Sequence, residues 1–216
     1  MRIGLIGSGE MSASLGRRWV ALGHAVMVGG RNPDNARRAA ASLGSGTTAG
    51  SLVDAAEFGD VLLLAIRWEG ALAAAEEIAP VLDGSPKPLL DCTNPVEVDD
   101  FSVVTRGTSM AEQIEEAAPG AQVVKAFNLC HASVWGMDHP IADGRSLQVP
   151  VCGDHAVAKE AAAGLVSALG CTPLDLGPLR RARHLEAMAA VVIQLLFTGS
   201  DPATVLALTR AEPARS

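Results

Sequence analysis

The chain has 216 residues, 49% of them apolar, and a formal net charge of -7. Its length suits one domain, or a larger domain with a small appended lobe, and its apolar content is ample for a packed core. The negative charge argues against nucleic acid and anionic membrane as partners. The longest apolar run, 187–197, contains Gln194 and is too short to span a bilayer. The N-terminus lacks the pattern of a signal peptide, so we expect a cytoplasmic protein.

Short strand-like runs alternate with longer helical segments along residues 1–126. Strands are predicted at 3–6, 25–28, 61–66, 88–92 and 122–126, with a weak candidate at 47–49. Helices are predicted at 11–22, 34–43, 69–81 and 109–117. The run VLLLAI is apolar without alternation, as in a parallel strand covered on both faces. This order predicts an α/β fold with a doubly wound parallel sheet and right-handed crossovers.

The pattern changes after Phe127, where a loop containing glycine and proline runs to Ser146. A strand is predicted at 147–152, then a helix with Asp154 as its N-cap and Gly170 at its end. A strand at 172–176 and a long apolar helix at 183–197 follow. We therefore expect a domain of residues 1–145 and a small C-terminal α/β lobe of residues 146–216.

The first strand runs into a glycine-rich turn that opens a helix. In the fingerprint G-x-G-x-x-G, the first glycine forms the turn, the second admits a pyrophosphate close to the backbone, and the third lets helix and strand approach. Gly7 and Gly9 occupy the first two positions, Ser12 is a small residue at the third, and Gly16 allows close packing one turn later. Free N–H groups at the helix start would then face the pyrophosphate. The motif predicts a dinucleotide site in a Rossmann-type fold.

The end of the second strand predicts which nicotinamide dinucleotide binds. An NAD enzyme carries Asp or Glu there to hold the ribose 2′-hydroxyl, whereas this chain has Gly29, Gly30, Arg31 and Asn32. A carboxylate would repel a 2′-phosphate, whereas a guanidinium can bind it through paired charge-assisted hydrogen bonds. We therefore expect NADP(H) as the cofactor, with Arg31 as the phosphate ligand and Asn32 as a supporting donor.

The rest of the chain offers few residues for acid–base or nucleophilic chemistry. It contains no tyrosine, which excludes the Tyr-Lys proton donor of short-chain dehydrogenases. The four cysteines form no CxxC pair and are expected to be buried apolar side chains, with no metal site. Direct hydride transfer between two ring cofactors needs orientation more than acid–base groups. The residues therefore favour a cofactor-to-cofactor reductase over a carbonyl or imine reductase.

Several segments, taken with the glycine turn, resemble one known family. In chain order they are GHAVMVGGR, VLLLAIRWE, TNP, VVKAFN, VPVCGD and LDLGPLRRARHLE. They resemble the F420-dependent NADP oxidoreductases, small reductases that pass a hydride between NADP(H) and the deazaflavin coenzyme F420. The resemblance runs from Met1 to about Phe197. The N-terminal domain is also similar to the reductase domain of membrane ferric reductases.

The resemblance implies which residues line the site. Residues 66–68 would line the cofactor after the fourth strand, Asn94 and Pro95 would flank the nicotinamide, and residues 126–128 would form the floor of the hydride-transfer cleft. Arg183 matches the arginine of the family's GPL-x-x-x-R, which implies an anion-binding role.

Two further residues carry hypotheses of their own. His131 follows the end of a strand and could donate a proton or a hydrogen bond to the hydride acceptor, or could be a partly buried loop histidine. Lys125 could be a general acid, but a strand lysine that reaches solvent is the favoured interpretation. The apolar helix 183–197 suits burial by its own lobe and by a second subunit, which predicts a homodimer. We expect the C-terminal lobe to complete the hydride-acceptor cleft and to form the dimer interface.

The leading hypothesis is therefore hydride transfer between NADP(H) and F420. The alternatives are an NADPH-dependent reductase of a flavin, a ferric chelate or a small imine or carbonyl, and a non-catalytic NADP(H) sensor. The predicted catalytic residues are Asn128 and His131, and the predicted substrate contacts are Asn128, His131 and Arg183. The predicted cofactor contacts are Gly7, Ser8, Gly9, Glu10, Met11, Ser12, Gly30, Arg31, Asn32, Ala65, Ile66, Arg67, Trp68, Asn94, Pro95 and Ala126.

Overall fold

Continuous apolar runs in the strands allow helices to cover the sheet on both faces. The computed structural model describes residues 1–142 and 144–201, which contain one eight-stranded sheet and one two-stranded ribbon. The strands are, in chain order, β1 (Arg2–Ile6), β2 (Ala25–Gly29), β3 (Thr48–Gly50), β4 (Val61–Leu64), β5 (Lys87–Asp91), β6 (Ala121–Lys125), β7 (Ile141–Ala142), β8 (Arg145–Ser146), β9 (Gln148–Gly153) and β10 (Thr172–Asp175). Strands β7 and β8 form the ribbon.

The large sheet has the strand order β10-β9-β6-β5-β4-β1-β2-β3. Neighbouring strands are parallel except β6 and β9, where Lys125 pairs with Cys152 in an antiparallel register. The order reverses at β1, which lies between β2 and β4, and doubly wound sheets bind ligands outside the carboxyl ends of the strands at such a switch. The predicted α/β class and Rossmann-type sheet are confirmed.

Helices pack on both faces of this sheet. They are α1 (Glu10–Ala21), α2 (Pro33–Leu43), α3 (Leu52–Phe58), α4 (Ala71–Leu82), α5 (Met110–Ala117), α6 (Ala132–Trp135), α7 (Ala156–Ala168) and α8 (Ala182–Phe197), with short 3-10 helices at Trp68–Gly70 and Leu179–Arg181. Buried side chains of α1, α2 and α7 share one apolar core, and those of α3, α4, α5 and α8 share the other. In the part of the chain that the structure describes, no helix has the length and apolar character needed to cross a membrane.

The sheet is continuous across the predicted boundary between residues 145 and 146. Strands β9 and β10, which belong to the predicted C-terminal lobe, extend the sheet beyond β6. Helix α8 returns to the core that holds α4 and α5. The C-terminal segment therefore builds part of the same layer that carries the glycine turn.

The segment predicted as a loop up to Ser146 contains α6 and the β7–β8 ribbon. Two further differences from the sequence predictions concern the starts of helices. Helix α3 is not predicted, although Ser51 and Asp54 form a capping box at its start, which is the S-x-x-D signal of a helix N-terminus. The prediction that Asp154 caps α7 is wrong, because His155 is the N-cap and the Asp154 carboxylate accepts the N–H of Leu179 at 3.0 Å. That N–H belongs to a distant segment, which local spacing does not show.

Leu63 in β4 tests the packing of the sheet because it has no exposed surface. Leu63→Ala should lower the free energy of unfolding by about 2 to 5 kcal/mol, since it removes buried carbon atoms and leaves a cavity. Val157 on α7 is 70% exposed, so Val157→Ala is a control expected to change stability by no more than about 0.5 kcal/mol. Urea denaturation measures both, and an unchanged stability for Leu63→Ala would contradict this packing.

Candidate functional site

The turn between β1 and α1 requires glycine at its first position. Gly7 has a φ of +122°, and a Cβ built on it would lie 2.4 Å from the carbonyl oxygen of Ala65. Its N–H donates to the carbonyl of Gly29 at 2.9 Å, which ties the turn to the end of β2. Both the backbone conformation and the close approach exclude a larger residue here.

At Gly9, neither the backbone conformation nor a contact within the protein requires glycine. Its φ of -85° is open to every residue, and a Cβ there would meet no atom of the described residues within 4 Å. Helix α1 starts directly after it, and no described side chain caps that end of the helix. The free N–H groups of the first turn and the positive end of the helix dipole make this open space suited to a phosphate group.

Ser12 and Gly16 let α1 lie close to the sheet. A Cβ on Gly16 would approach a methyl carbon of Leu5 to 2.8 Å and one of Leu43 to 2.9 Å. Ser12 has no exposed surface, so its side chain contributes to helix packing. The predicted contact of Ser12 with a cofactor is therefore left to its backbone N–H.

A groove of about 290 Å³ runs from the glycine turn to the end of β2. Arg31 lines it, is exposed, and makes no hydrogen bond or ion pair with another described residue. Its Nη2 lies 3.4 Å from the position that a Cβ on Gly70 would occupy. The guanidinium is therefore available to an anion at the end of β2.

Asn32 lies beside this groove but has a structural task. Its Oδ1 accepts the N–H of Asp34 at 2.9 Å and the N–H of Asn35 at 3.0 Å, which caps α2. Only the NH2 group of Asn32 remains to donate to a ligand. The predicted supporting role of Asn32 depends on that group.

A larger cleft of about 750 Å³ continues from the groove, outside the carboxyl ends of β4, β5 and β6. Gly9, Ala65, Ile66 and Arg67 line both spaces, so groove and cleft are continuous. The cleft brings together predicted site residues from several segments of the chain. They are Gly9, Glu10, Met11, Ala65, Ile66, Arg67, Trp68, Asn94, Asn128 and His131.

Besides Ser12, three predicted residues line neither the groove nor the cleft. Pro95 and Ala126 are buried, and Arg183 is exposed in the first turn of α8. A later part of α8 forms one wall of the cleft, a role that the sequence analysis gave to the C-terminal lobe as a whole and not to particular residues of this helix. The wall residues are Ala189, Val192, Ile193 and Leu196. Their i, i+3, i+4, i+7 spacing marks one apolar helix face and is the signal that predicts such a wall.

Asn94 and Asn128 join three sides of the cleft. The Asn94 Nδ2 donates to the carbonyl of Asn128 at 2.9 Å, and the Asn128 Nδ2 donates to Asn94 Oδ1 at 3.0 Å and to the carbonyl of Leu185 in α8 at 3.1 Å. Asn128 is only 5% exposed. Both hydrogen bonds of the Asn128 amide nitrogen are made within the protein. Of its side chain, only Oδ1 remains to accept a hydrogen bond from a ligand.

Phe127 lies in the cleft with an unusual backbone. Its φ of 62° is in the left-handed region, which costs a residue with a side chain about 1 to 3 kcal/mol. Its ring packs edge-on against Trp19 at 6.2 Å and against Trp135 at 5.1 Å between centroids. These two buried contacts hold the turn that carries Asn128.

His131 lies at the exposed rim of the cleft and caps α6. The N–H of Ser133 donates to His131 Nδ1 at 3.3 Å. An Nδ1 that accepts a hydrogen bond places the proton of the neutral ring on Nε2. His131 can therefore present a donor at the cleft.

Lys125 lies in a buried ion cluster. Its Nζ donates to Asp91 Oδ2 at 2.8 Å, to Glu186 Oε1 at 2.9 Å and to the carbonyl of Thr93 at 2.6 Å. The side chains of Lys125, Asp91 and Glu186 have no exposed surface. The prediction that Lys125 reaches solvent is therefore wrong. Two carboxylates from other parts of the chain replace water around the ammonium group.

The charges of this cluster stabilise one another. Burial disfavours the ammonium form of Lys125, but the attraction of Asp91 and Glu186 outweighs it and raises the pKa of Lys125. Burial raises the pKa of Glu186, against the attraction of Lys125. Glu186 also accepts the N–H groups of Met110 at 3.0 Å and Ala111 at 3.3 Å, so it faces the positive end of α5.

The cysteines behave as buried apolar groups. Cys92, Cys152 and Cys171 are buried, as predicted, and Cys130 is partly exposed at the cleft. Burial raises the pKa of Cys92 and of Cys152 to about 12, so both thiols stay protonated near neutral pH. Among the described residues, no group of three or more His, Cys, Asp or Glu side chains is placed to hold a metal ion.

The two glycines of the turn should respond differently to substitution. Gly7→Ala should lower the free energy of unfolding by more than about 1 kcal/mol, because alanine at this positive φ is strained and its Cβ meets Ala65. Gly9→Ala should leave stability within about 0.5 kcal/mol, since its Cβ enters open space. Chemical denaturation of both variants measures the difference, and equal losses would contradict the geometry of the turn.

Comparison with known proteins identifies NADP-dependent reductases and metalloreductases as relatives of this chain. Residues 2–95 match the profile of the family described as "NADP oxidoreductase coenzyme F420-dependent". Metalloreductase STEAP3 of Rattus norvegicus is 33% identical over 207 residues. The alignment covers 96% of this chain but only 39% of the rat protein. The F420-dependent NADP reductase of Methanocaldococcus jannaschii is 26% identical over 229 residues, which cover 98% of this chain and 100% of that protein.

A solved structure agrees with these sequence relatives. A protein from Arthrobacter sp. FB24, provisionally described as an F420-dependent NADP reductase, has a TM-score of 0.78 and 26% identity. The similarity covers 92% of this chain and 95% of the Arthrobacter chain. Residues 2–95 thus match this family of coenzyme F420-dependent NADP oxidoreductases, and the fold of the Arthrobacter protein extends over most of the chain.

Proposed function

We propose that the chain is an oxidoreductase that transfers a hydride between NADP(H) and the deazaflavin coenzyme F420. The observation that carries the proposal is the continuity of the Arg31 groove with the cleft. One extended ligand can reach from the available guanidinium, past the glycine turn, to the ends of β5 and β6. The family match and the likeness to the Methanocaldococcus reductase support both coenzymes.

The residues present fit NADP(H). Arg31 would bind the 2′-phosphate through charge-assisted hydrogen bonds, and positions 29–32 contain no carboxylate to repel it. The open space at Gly9 and the N–H groups of α1 would hold the pyrophosphate. The nicotinamide would then lie in the cleft near Asn94. When bound, NADPH supplies the hydride.

The cleft suits an acceptor with a flat apolar ring. The wall formed by Val192, Ile193 and Leu196 of α8 offers apolar surface, and the Asn94–Asn128 pair keeps the opposite segments in place. Hydride transfer needs the two ring faces about 3 to 3.5 Å apart with aligned orbitals. The chain therefore contributes orientation and exclusion of water.

We assign the proton that accompanies the hydride to His131. A ring that gains a hydride also takes up a proton, and imidazole is the side chain that ordinarily exchanges protons near neutral pH. As imidazolium, His131 can donate its Nδ1 proton to Ser133 Oγ at 3.0 Å and release its Nε2 proton to the acceptor, which leaves a neutral ring. Arg183 does not line the cleft, so a role in binding the acceptor requires the acceptor to extend beyond it.

A flavin or a ferric chelate is the second candidate acceptor. The specific observation in its favour is the 33% identity with a metalloreductase along 96% of this chain. The binding site for NADPH would be the same in both cases, because the groove and the glycine turn are unchanged.

Direct assay distinguishes these acceptors. Purified protein is mixed with NADPH and oxidised F420, and the loss of the deazaflavin's visible absorbance is followed. Parallel reactions contain FMN, a ferric chelate, or a small imine or carbonyl instead. Turnover with F420 at the highest kcat/KM supports the proposal. Preference for another acceptor, or NADPH binding without any turnover, as in a sensor, would overturn it.

Arg31 provides the sharpest test of cofactor choice. Arg31→Ala should weaken NADPH binding by about ten- to a hundredfold, or about 1.5 to 3 kcal/mol, because it removes a charge-assisted contact with the 2′-phosphate. Binding of NADH, which lacks that phosphate, should hardly change. Arg38→Ala is the matched control, since Arg38 is exposed on α2 and contacts Asn35. Titration calorimetry measures all affinities, and equal losses for both nucleotides would refute the assignment.

We also propose that two copies form an isologous dimer through α8. Its outward face carries Met188 and, three residues later, Val191, each 46% exposed. An exposed apolar strip of this kind is typical of an interaction surface, and a two-fold interface would cover it with its own copy.

Met188→Lys should convert the dimer to a monomer, because it places a charge in a desolvated interface. Val157→Lys on α7, at a site that is 70% exposed, is the control and should leave the assembly unchanged. Light scattering at micromolar concentration gives the molar mass of each protein. A monomeric unmodified chain would rule out the dimer.

A further inference from the structure

The buried ion cluster touches three segments that build the cleft. Asp91 ends β5, Lys125 ends β6, and Glu186 lies on α8 one turn before the apolar wall begins at Ala189. Because the Lys125 ammonium bonds to both carboxylates, its position sets the three segments relative to one another. The joined residues are far apart in sequence, with a separation of 34 residues between Asp91 and Lys125 and of 61 between Lys125 and Glu186.

Thr93, which lines the cleft, is held by this cluster at both ends. Its N–H donates to Asp91 Oδ1 at 2.8 Å, and its carbonyl accepts from Lys125 Nζ at 2.6 Å. The next residue, Asn94, is bonded to Asn128 across the cleft. The backbone of the segment after β5 therefore depends directly on the ammonium group.

The charge balance makes Lys125 the central member. It is one cation between two carboxylates, and the extra negative charge on Glu186 is met by two N–H groups at the start of α5. Without the ammonium, Asp91 and Glu186 would be two buried like charges, which repel. Loss of Lys125 should therefore push α8 and the end of β5 apart.

We propose that Lys125 is a positioning residue for hydride transfer. It has no exposed surface and does not line the cleft, so it acts as neither a general acid nor a cofactor ligand. It sets the distance between the Thr93–Asn94 wall and the α8 wall. The inference rests on the proposed function, because hydride transfer is the reaction in which a displacement of about 1 Å can cost about a hundredfold in rate.

The test needs a variant that folds. Lys125→Met alone leaves two buried carboxylates with no cation. The double variant Lys125→Met/Glu186→Gln removes the ammonium and one carboxylate together, so the formal charge of the cluster stays as it is in the wild type. Lys159→Met is the matched control, because it breaks the ion pair of Lys159 with Asp175 (2.8 Å) at the surface, outside the cleft.

Kinetics give the first readout. With NADPH and F420, the double variant should lose about ten- to a hundredfold in kcat. Its Kd for NADPH should stay within about threefold, because Arg31 and the glycine turn lie outside the cluster. The deuterium isotope effect with NADPH labelled at the transferred position should rise as hydride transfer becomes rate-limiting. Wild-type kcat and isotope effect in the double variant would overturn the inference.

Amide hydrogen exchange without any ligand gives the second readout. In the double variant, exchange should become faster in residues 92–95 and 188–196 and stay as in the wild type in residues 1–30. Uniformly faster exchange, or no change, would overturn the inference by showing a general stability effect or none. If the wild type does not reduce F420, the proposed function fails, and the exchange pattern still decides whether Lys125 holds the cleft walls.

Discussion

A buried ammonium group must replace its water with other partners, and Lys125 meets this constraint with Asp91, Glu186 and the carbonyl of Thr93. These partners come from β5, from the segment after it and from α8. The requirement therefore joins elements that the chain delivers far apart. Glu186 extends the link to the start of α5, where its oxygens accept two backbone N–H groups. The ion cluster therefore links segments that form two walls of the cleft.

The groove and the cleft depend on different kinds of interaction. The groove is formed by the adjacent elements β1, α1 and β2. It requires particular backbone features, namely a positive φ at Gly7 and open space at Gly9. The cleft is formed by the ends of β5 and β6 and by α8. It requires contacts between side chains from segments that are distant in sequence. A substitution in the groove should therefore change nucleotide binding, whereas a substitution in the cluster should change the alignment of two ligands.

Predictability follows the same division. The glycine turn, the place of Arg31 at the end of β2 and the doubly wound sheet could be predicted because they depend on local conformation and on apolar runs that lie close together in sequence. The contacts of Asp154 and Lys125 could not, because their partners, Leu179 and Glu186, lie 25 and 61 residues away. Helix α3 could have been predicted from the sequence, because Ser51 begins a capping box.

The sequence by itself determined the α/β class, the dinucleotide turn and the positive charge at the end of β2, since each depends on residues within one or two neighbouring elements. Only the tertiary structure decided which residues of α8 form a wall of the cleft, that the amide nitrogen of Asn128 is used in hydrogen bonds within the protein, and that Arg183 lies outside the cleft. It also decided that Lys125 is buried. The reason is that burial and hydrogen-bond partners are properties of distant segments brought together, and spacing along the chain does not encode which segments meet.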